Sequence, residues 1–192
     1  MKFLNIIVFF GFVPTLLLAA PSTTARKQVQ FDWNGDGKLD RAEIVESTNN
    51  DSVDLLIFFG AGGGRFAEPI IARDFAGSTP MIGDAANVKL NAANSIVVQS
   101  SHIGVGRSKY EAETIVGFRN RQMRVIGYNI SRWDSLDPDA AFRCDVNFLN
   151  KRAIITPPAS SRQRIVRHNL QAMPIGNWSL LPDFRGVCPA YE

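Results

Sequence analysis

The sequence predicts a mainly β protein built from antiparallel sheets. Short runs rich in β-branched and aromatic residues recur between clusters of Gly, Pro, Asn and Asp, helical periodicity is scarce, and Asn120-Arg121 separates two alternating segments as a tight hairpin turn would. The alternation places strands at Val53 to Phe59, Ile70 to Arg73, Asn87 to Leu90, Ser95 to Ser100, Glu111 to Arg119, Gln122 to Asn129, Cys144 to Leu149 and Arg152 to Thr156. Ser131 to Ala140 and Pro157 to Ser161 combine Asp, Pro and Ser with little alternation and read as loops.

Ahead of these strands, Lys2 is followed by an apolar run from Phe3 to Leu18 and the small residues Ala19 and Ala20. A positive start, a run too short to span a bilayer with margin and a small-residue exit mark residues 1 to 20 as a signal peptide, cut between 19 and 25. Later apolar runs are shorter, so no membrane span is expected and the protein is read as secreted or periplasmic. Residues 26 to 192 are of a size to form a single β-rich domain. Cys144 and Cys188 both fall in that domain, and an oxidising destination favours a disulfide between them.

The net charge of +3 is too small to imply nucleic acid as a partner. Its distribution is uneven: Asp32 to Asp54 holds seven acids against Lys38 and Arg41, a balance of −5, while arginines group at 119, 121 and 124 and at 162, 164 and 167. Alternate strand positions share a face, so Arg119 with Arg121, or Arg162 with Arg164, offers paired guanidinium groups to an anion or an acidic protein.

Asp32-Trp33-Asn34-Gly35-Asp36-Gly37-Lys38-Leu39-Asp40 carries the strongest chemical signal, with side-chain oxygens at loop positions 1, 3, 5 and 9 and the Lys38 carbonyl at position 7. Calcium takes six to eight hard oxygen ligands, and alternating Asp and Asn on a tightly curling backbone aims them inward. Glu43 falls at position 12, where an EF-hand places its bidentate ligand, so two calcium architectures fit the same letters. Gln28 to Phe31 alternates like a strand rather than an entering helix, and Arg41 to Glu46 suits either a short helix or a strand.

Phe31 to Asp40, followed by Val53 to Gly60 and a glycine-rich turn ending at Arg65-Phe66, resembles one FG-GAP or VCBS-type repeat. The resemblance covers residues 31 to 70 and implies a calcium loop between β-strands with an aromatic, here Trp33, at its second position. Such units form propellers in series; one unit implies a smaller β assembly and not a complete propeller. The stretches Arg124 to Tyr128 and Cys144 to Leu149 are similar to small secreted bacterial proteins that begin with such a loop.

Other constellations are weaker. Gly60 to Arg65 lacks the Lys-Ser/Thr ending of a phosphate loop and reads as a hairpin. His102 and His168, with Ser100, Ser101 and Ser108, sketch a hydrolytic set, but no nucleophile elbow accompanies them. Trp133, Trp178, Phe184 and Tyr191, with Arg132 and Arg185, suit a contact patch or a secondary core beside the disulfide, and the core is favoured. The sequence therefore points to an exported calcium-binding β domain that binds another protein, as an inhibitor or immunity-type partner does. An enzyme of unrecognised type and a structural envelope component are the alternatives.

Overall fold

A computed structural model describes residues 27–48, 51–79, 85–158, 162–178, 184 and 186–189. The expected signal peptide and its cleavage region lie outside the described residues, as do Tyr191 and Arg185. The chain is mainly β and its sheets are antiparallel, without a closed barrel. No helix among the described residues is long and apolar enough to cross a membrane.

The first sheet contains β1 (Gln28–Phe31), β2 (Asp40–Glu46), β3 (Ser52–Phe58) and β6 (Ile70–Gly77) in that order. A small hairpin, β4 (Gly60–Gly62) and β5 (Arg65–Phe66), fills the connection from β3 to β6. The second sheet is a meander of β7 (Asn87–Leu90), β8 (Ile96–His102), β9 (Ser108–Arg119), β10 (Gln122–Asp134), β11 (Phe142–Asn147), β12 (Arg152–Thr156) and β13 (Arg164–Arg167). A two-residue strand, β14 (Met173–Pro174), pairs with β10 beyond the end of β11.

Asn120 and Arg121 both take positive φ (53° and 60°), which gives the β9–β10 hairpin the twist its strands need. The segment Ser131 to Ala140 is only partly loop, because β10 continues to Asp134 against a twelve-residue β9. Its polar letters mask a true alternation: Ile130 is buried facing the core, whereas Asn129 and Ser131 lie on the other face. β13 was not among the expected strands. Its four residues include only Ile165 and Val166 as apolar positions, too few to signal an edge strand.

Both sheets contribute to one core, with Ala42, Leu55, Ile57 and Phe75 from the first and Ile96, Val98, Val116, Val125 and Val146 from the second. Each large apolar side chain removed from water there contributes about 1.5–3 kcal/mol. Cys144, fully buried on β11, is bonded to Cys188 with 5.9 Å between the Cα atoms and a sequence separation of 44. In the chain-entropy model a loop of that size stabilises the fold by about 4 kcal/mol. The bond anchors an aromatic cap over the core, in which Trp178 lies 5.4 Å from Tyr128 and 6.3 Å from Phe184, ring centre to ring centre. Burial pushes the Tyr128 hydroxyl well above the ordinary tyrosine range. Trp178 and Phe184 thus belong to the core; Trp133 lies apart, at the far end of β10.

Candidate metal centre

The Asp32 to Asp40 loop joins β1 to β2, two antiparallel neighbours whose register runs from Gln28 opposite Glu43 to Phe31 opposite Asp40. Gly35 and Gly37 take φ of 75° and 81°, which turns successive N–H groups toward the loop's own oxygens. Asp32 Oδ1 accepts from Gly35 N (2.7 Å) and Asp36 N (3.2 Å), and its Oδ2 accepts from Gly37 N (2.8 Å). Asn34 Oδ1 accepts from Asp36 N (2.9 Å), and Asp36 Oδ1 accepts from Lys38 N (2.9 Å). That last bond, with the Lys38 charge beside it, holds the Asp36 carboxyl below its ordinary range.

Asp40 is the hinge between the loop and the fold. It is fully buried, and its two oxygens accept from Trp33 N (2.9 Å) and from Gly60 N (2.9 Å). A Cβ at Gly60 would lie 2.6 Å from the Leu39 carbonyl oxygen and 2.9 Å from Lys38 Cβ, so only glycine lets this backbone approach the loop. The glycine-rich hairpin β4–β5 is therefore a plate closed against the loop. Trp33 ties the loop to the second sheet as well, since its indole N–H donates to the Asn94 carbonyl in the β7–β8 turn (2.9 Å).

The exit from the loop settles the choice left open at Arg41 to Glu46: it is β2, a strand paired with both β1 and β3. An EF-hand exit helix is absent here. Period-two alternation also sends Glu43 to the face opposite Asp40, where it is buried 3.6 Å from Arg41 Nε. Arg41 in turn lies over the rings of Phe58 (4.3 Å) and Phe66 (4.6 Å).

The donor set fits a hard cation in kind: Asp32, Asn34 and Asp36 supply side-chain oxygens, the Lys38 backbone a carbonyl, and Asp40 a carboxylate. A carboxylate oxygen carries two lone-pair sites, so Oδ2 of Asp32 and each oxygen of Asp40, with one N–H bond apiece, retain acceptor capacity. In the described conformation, no group of three or more acidic, His or Cys side chains converges in a metal-holding arrangement among the described residues. The oxygens are drawn to backbone N–H groups instead. Asp36 is also approached by Lys38 Nζ at 3.4 Å.

The two histidines lie far apart in the meander. His102 ends β8 stacked on Tyr110 (6.1 Å), whereas His168 follows β13 at the opposite end, buried against Phe148 (6.3 Å). The arginine pairs expected at 119 with 121 and 162 with 164 do not form as such: Arg121 belongs to the turn and Arg162 precedes β13. A different pair is present, since Arg152 on β12 stands directly opposite Arg167 on β13. Cross-strand partners cannot be found without the register, which is why residue spacing alone missed it. Comparison with protein-family models, with curated proteins and with solved structures finds no match.

Proposed function

We propose that this chain is an exported β domain, stapled by calcium at Asp32 to Asp40, that binds another protein outside the cytoplasm and acts as an inhibitor or immunity-type partner. The observation that carries this reading is the loop itself: five oxygen donors at the spacing of a calcium loop, curled by two glycines at positive φ between adjacent strands. Its position between β1 and β2, with Trp33 second in the loop, supports reading residues 31 to 70 as one FG-GAP or VCBS-type unit. Asp32, Asn34, Asp36 and Asp40, with the Lys38 carbonyl, are the residues that hold the ion in this proposal.

Bound calcium would supply positive charge to a corner dense in carboxylate oxygens and tighten the attachment of the loop to both sheets. Metal that binds only the folded chain raises its stability by mass action. The test is a thermal melt of the oxidised protein in millimolar calcium and in chelator. At a calcium concentration about a hundredfold above the dissociation constant, stability rises by about 2.7 kcal/mol, and Asp36→Ala abolishes most of the gain. Identical melts in calcium and chelator, with native dispersion intact, remove the staple from the proposal.

A further inference from the structure

The registers of the meander sort its side chains into rows. On the face turned away from the core, one row contains Lys89, Val97, Ile115, Gly127, Asn147, Arg152 and Arg167, and the row beside it contains Gln99, Glu113, Asn129, Asp145, Ile154 and Ile165. Continuing down β9 and β10 on the same face come Arg119 and Arg124. Of the acids of this face, Glu113 pairs with Lys89 (2.9 Å) and Asp145 with Arg143 (3.1 Å), and Glu111 stands farther along β9, toward the opposite end of the sheet.

The corner formed by the β9–β10 turn, the β11–β12 turn and the end of β13 is different. It carries, spread along one end of the sheet, Arg119, Arg121, Lys151, Arg152 and Arg167, all exposed, and none makes an ion pair with a described residue. The segments that build it, 116–126, 147–153 and 164–178, contain no acid. Like charges directly opposite each other on neighbouring strands oppose pairing, yet Arg152 faces Arg167 across β12 and β13. Beside them Ile165 is 54 % exposed on the same face. β13 has one open side: β12 covers one edge, and no described strand pairs with the other.

We infer that this corner is the docking surface for an acidic, extended segment of a protein partner, which adds as a strand along the open edge of β13 and places its carboxylates on Arg152 and Arg167. Strand addition supplies main-chain hydrogen bonds, and a segment alternating acid with apolar turns its acids to the face of Arg152 and Arg167 and its apolar side chains to the opposite face, beside Val166. Guanidinium groups take carboxylates in a bidentate fork, which converts the repulsive pair into a chelating one. This inference rests on the protein-binding reading and names the partner's chemistry; it does not depend on calcium.

The experiment is a fluorescence-anisotropy titration with a labelled peptide of about twelve residues that alternates Glu with Val, run at low and high salt. The expected result is binding that weakens with salt, falls by at least about tenfold in the Arg152→Glu/Arg167→Glu protein, and is absent for the Gln-Val analogue. Amide exchange along β13 should slow on saturation. Equal binding by the charge-reversed protein, or by the Gln-Val peptide, overturns the inference. So does binding of heparin or a single-stranded oligonucleotide where the peptide fails, since that makes the corner a general polyanion surface. Peptide binding with unchanged exchange at β13 overturns strand addition. A thermal melt of the charge-reversed protein that matches wild type establishes that lost binding is not lost folding. The calcium melt reports independently, so either proposal can fail alone.

Discussion

The acidic loop of the first sheet and the basic corner of the second use charge in opposite ways. In the loop, Asp32 accepts three backbone N–H groups and Asp40 two, so the carboxylates are committed to holding the chain in its curl. At the corner, Arg152 and Arg167 are exposed at directly opposed positions, and their side chains hold no described residue in place. Charge turned inward onto backbone donors is structural, and its loss unravels the local fold. Charge turned outward without a partner leaves the fold largely indifferent and is available to another molecule.

Removing a carboxylate on one side should therefore be costly. Asp40→Ala leaves the Trp33 and Gly60 N–H groups without their acceptor and should destabilise by about 2–4 kcal/mol in urea unfolding. A loss below about 0.5 kcal/mol would mean the loop is not clamped through Asp40. Gly60→Ala forces a methyl group toward the Leu39 carbonyl and should cost about 1–3 kcal/mol. On the basic side the sign reverses. Arg152→Glu turns an opposed like-charge pair into an attractive one and should raise stability by about 0.5 kcal/mol, while weakening capture of an acidic peptide.

The smallest effect concerns Glu113, on the same outer face. Burial pushes its carboxyl upward, but the hydrogen bond and charge of Lys89, with Gln99 and Asn129, outweigh that and leave it below its ordinary range. Folding therefore favours the ionised form. That contribution is present above the ordinary carboxylate range and is lost as pH falls through the lowered folded value. Glu113→Gln should destabilise by only about 0.3 kcal/mol at neutral pH, given solvent screening, and the difference from wild type should vanish in acid.

Much of the fold was legible wherever alternation was strict. The β7 and β12 limits, Asn87 to Leu90 and Arg152 to Thr156, coincide with the expected strands, and Asn120-Arg121 forms the expected hairpin turn. The Cys144–Cys188 bond, expected from the pairing of the two cysteines, is present. Legibility failed where a partner strand decides the outcome. Ser131 to Asp134 is a strand because β9 runs beside it, and β2 is a strand because β1 and β3 flank it. At the candidate site, the oxygen donors were evident from spacing, but the Gly60 contact was not. It joins residues 20 positions apart, and its only trace in the sequence is a glycine at the start of the expected hairpin.

The meander has a consequence for how the chain assembles. From β7 to β13 each strand lies beside the one that precedes it, so the sheet can grow by adding one hairpin at a time, with only short loops to close. Each completed strand is then the template for the next. β13 is the last template in the series, and among the described strands none lies on its outer edge. In that sense a partner's strand laid on β13 would be the next increment of the same assembly, supplied by another chain.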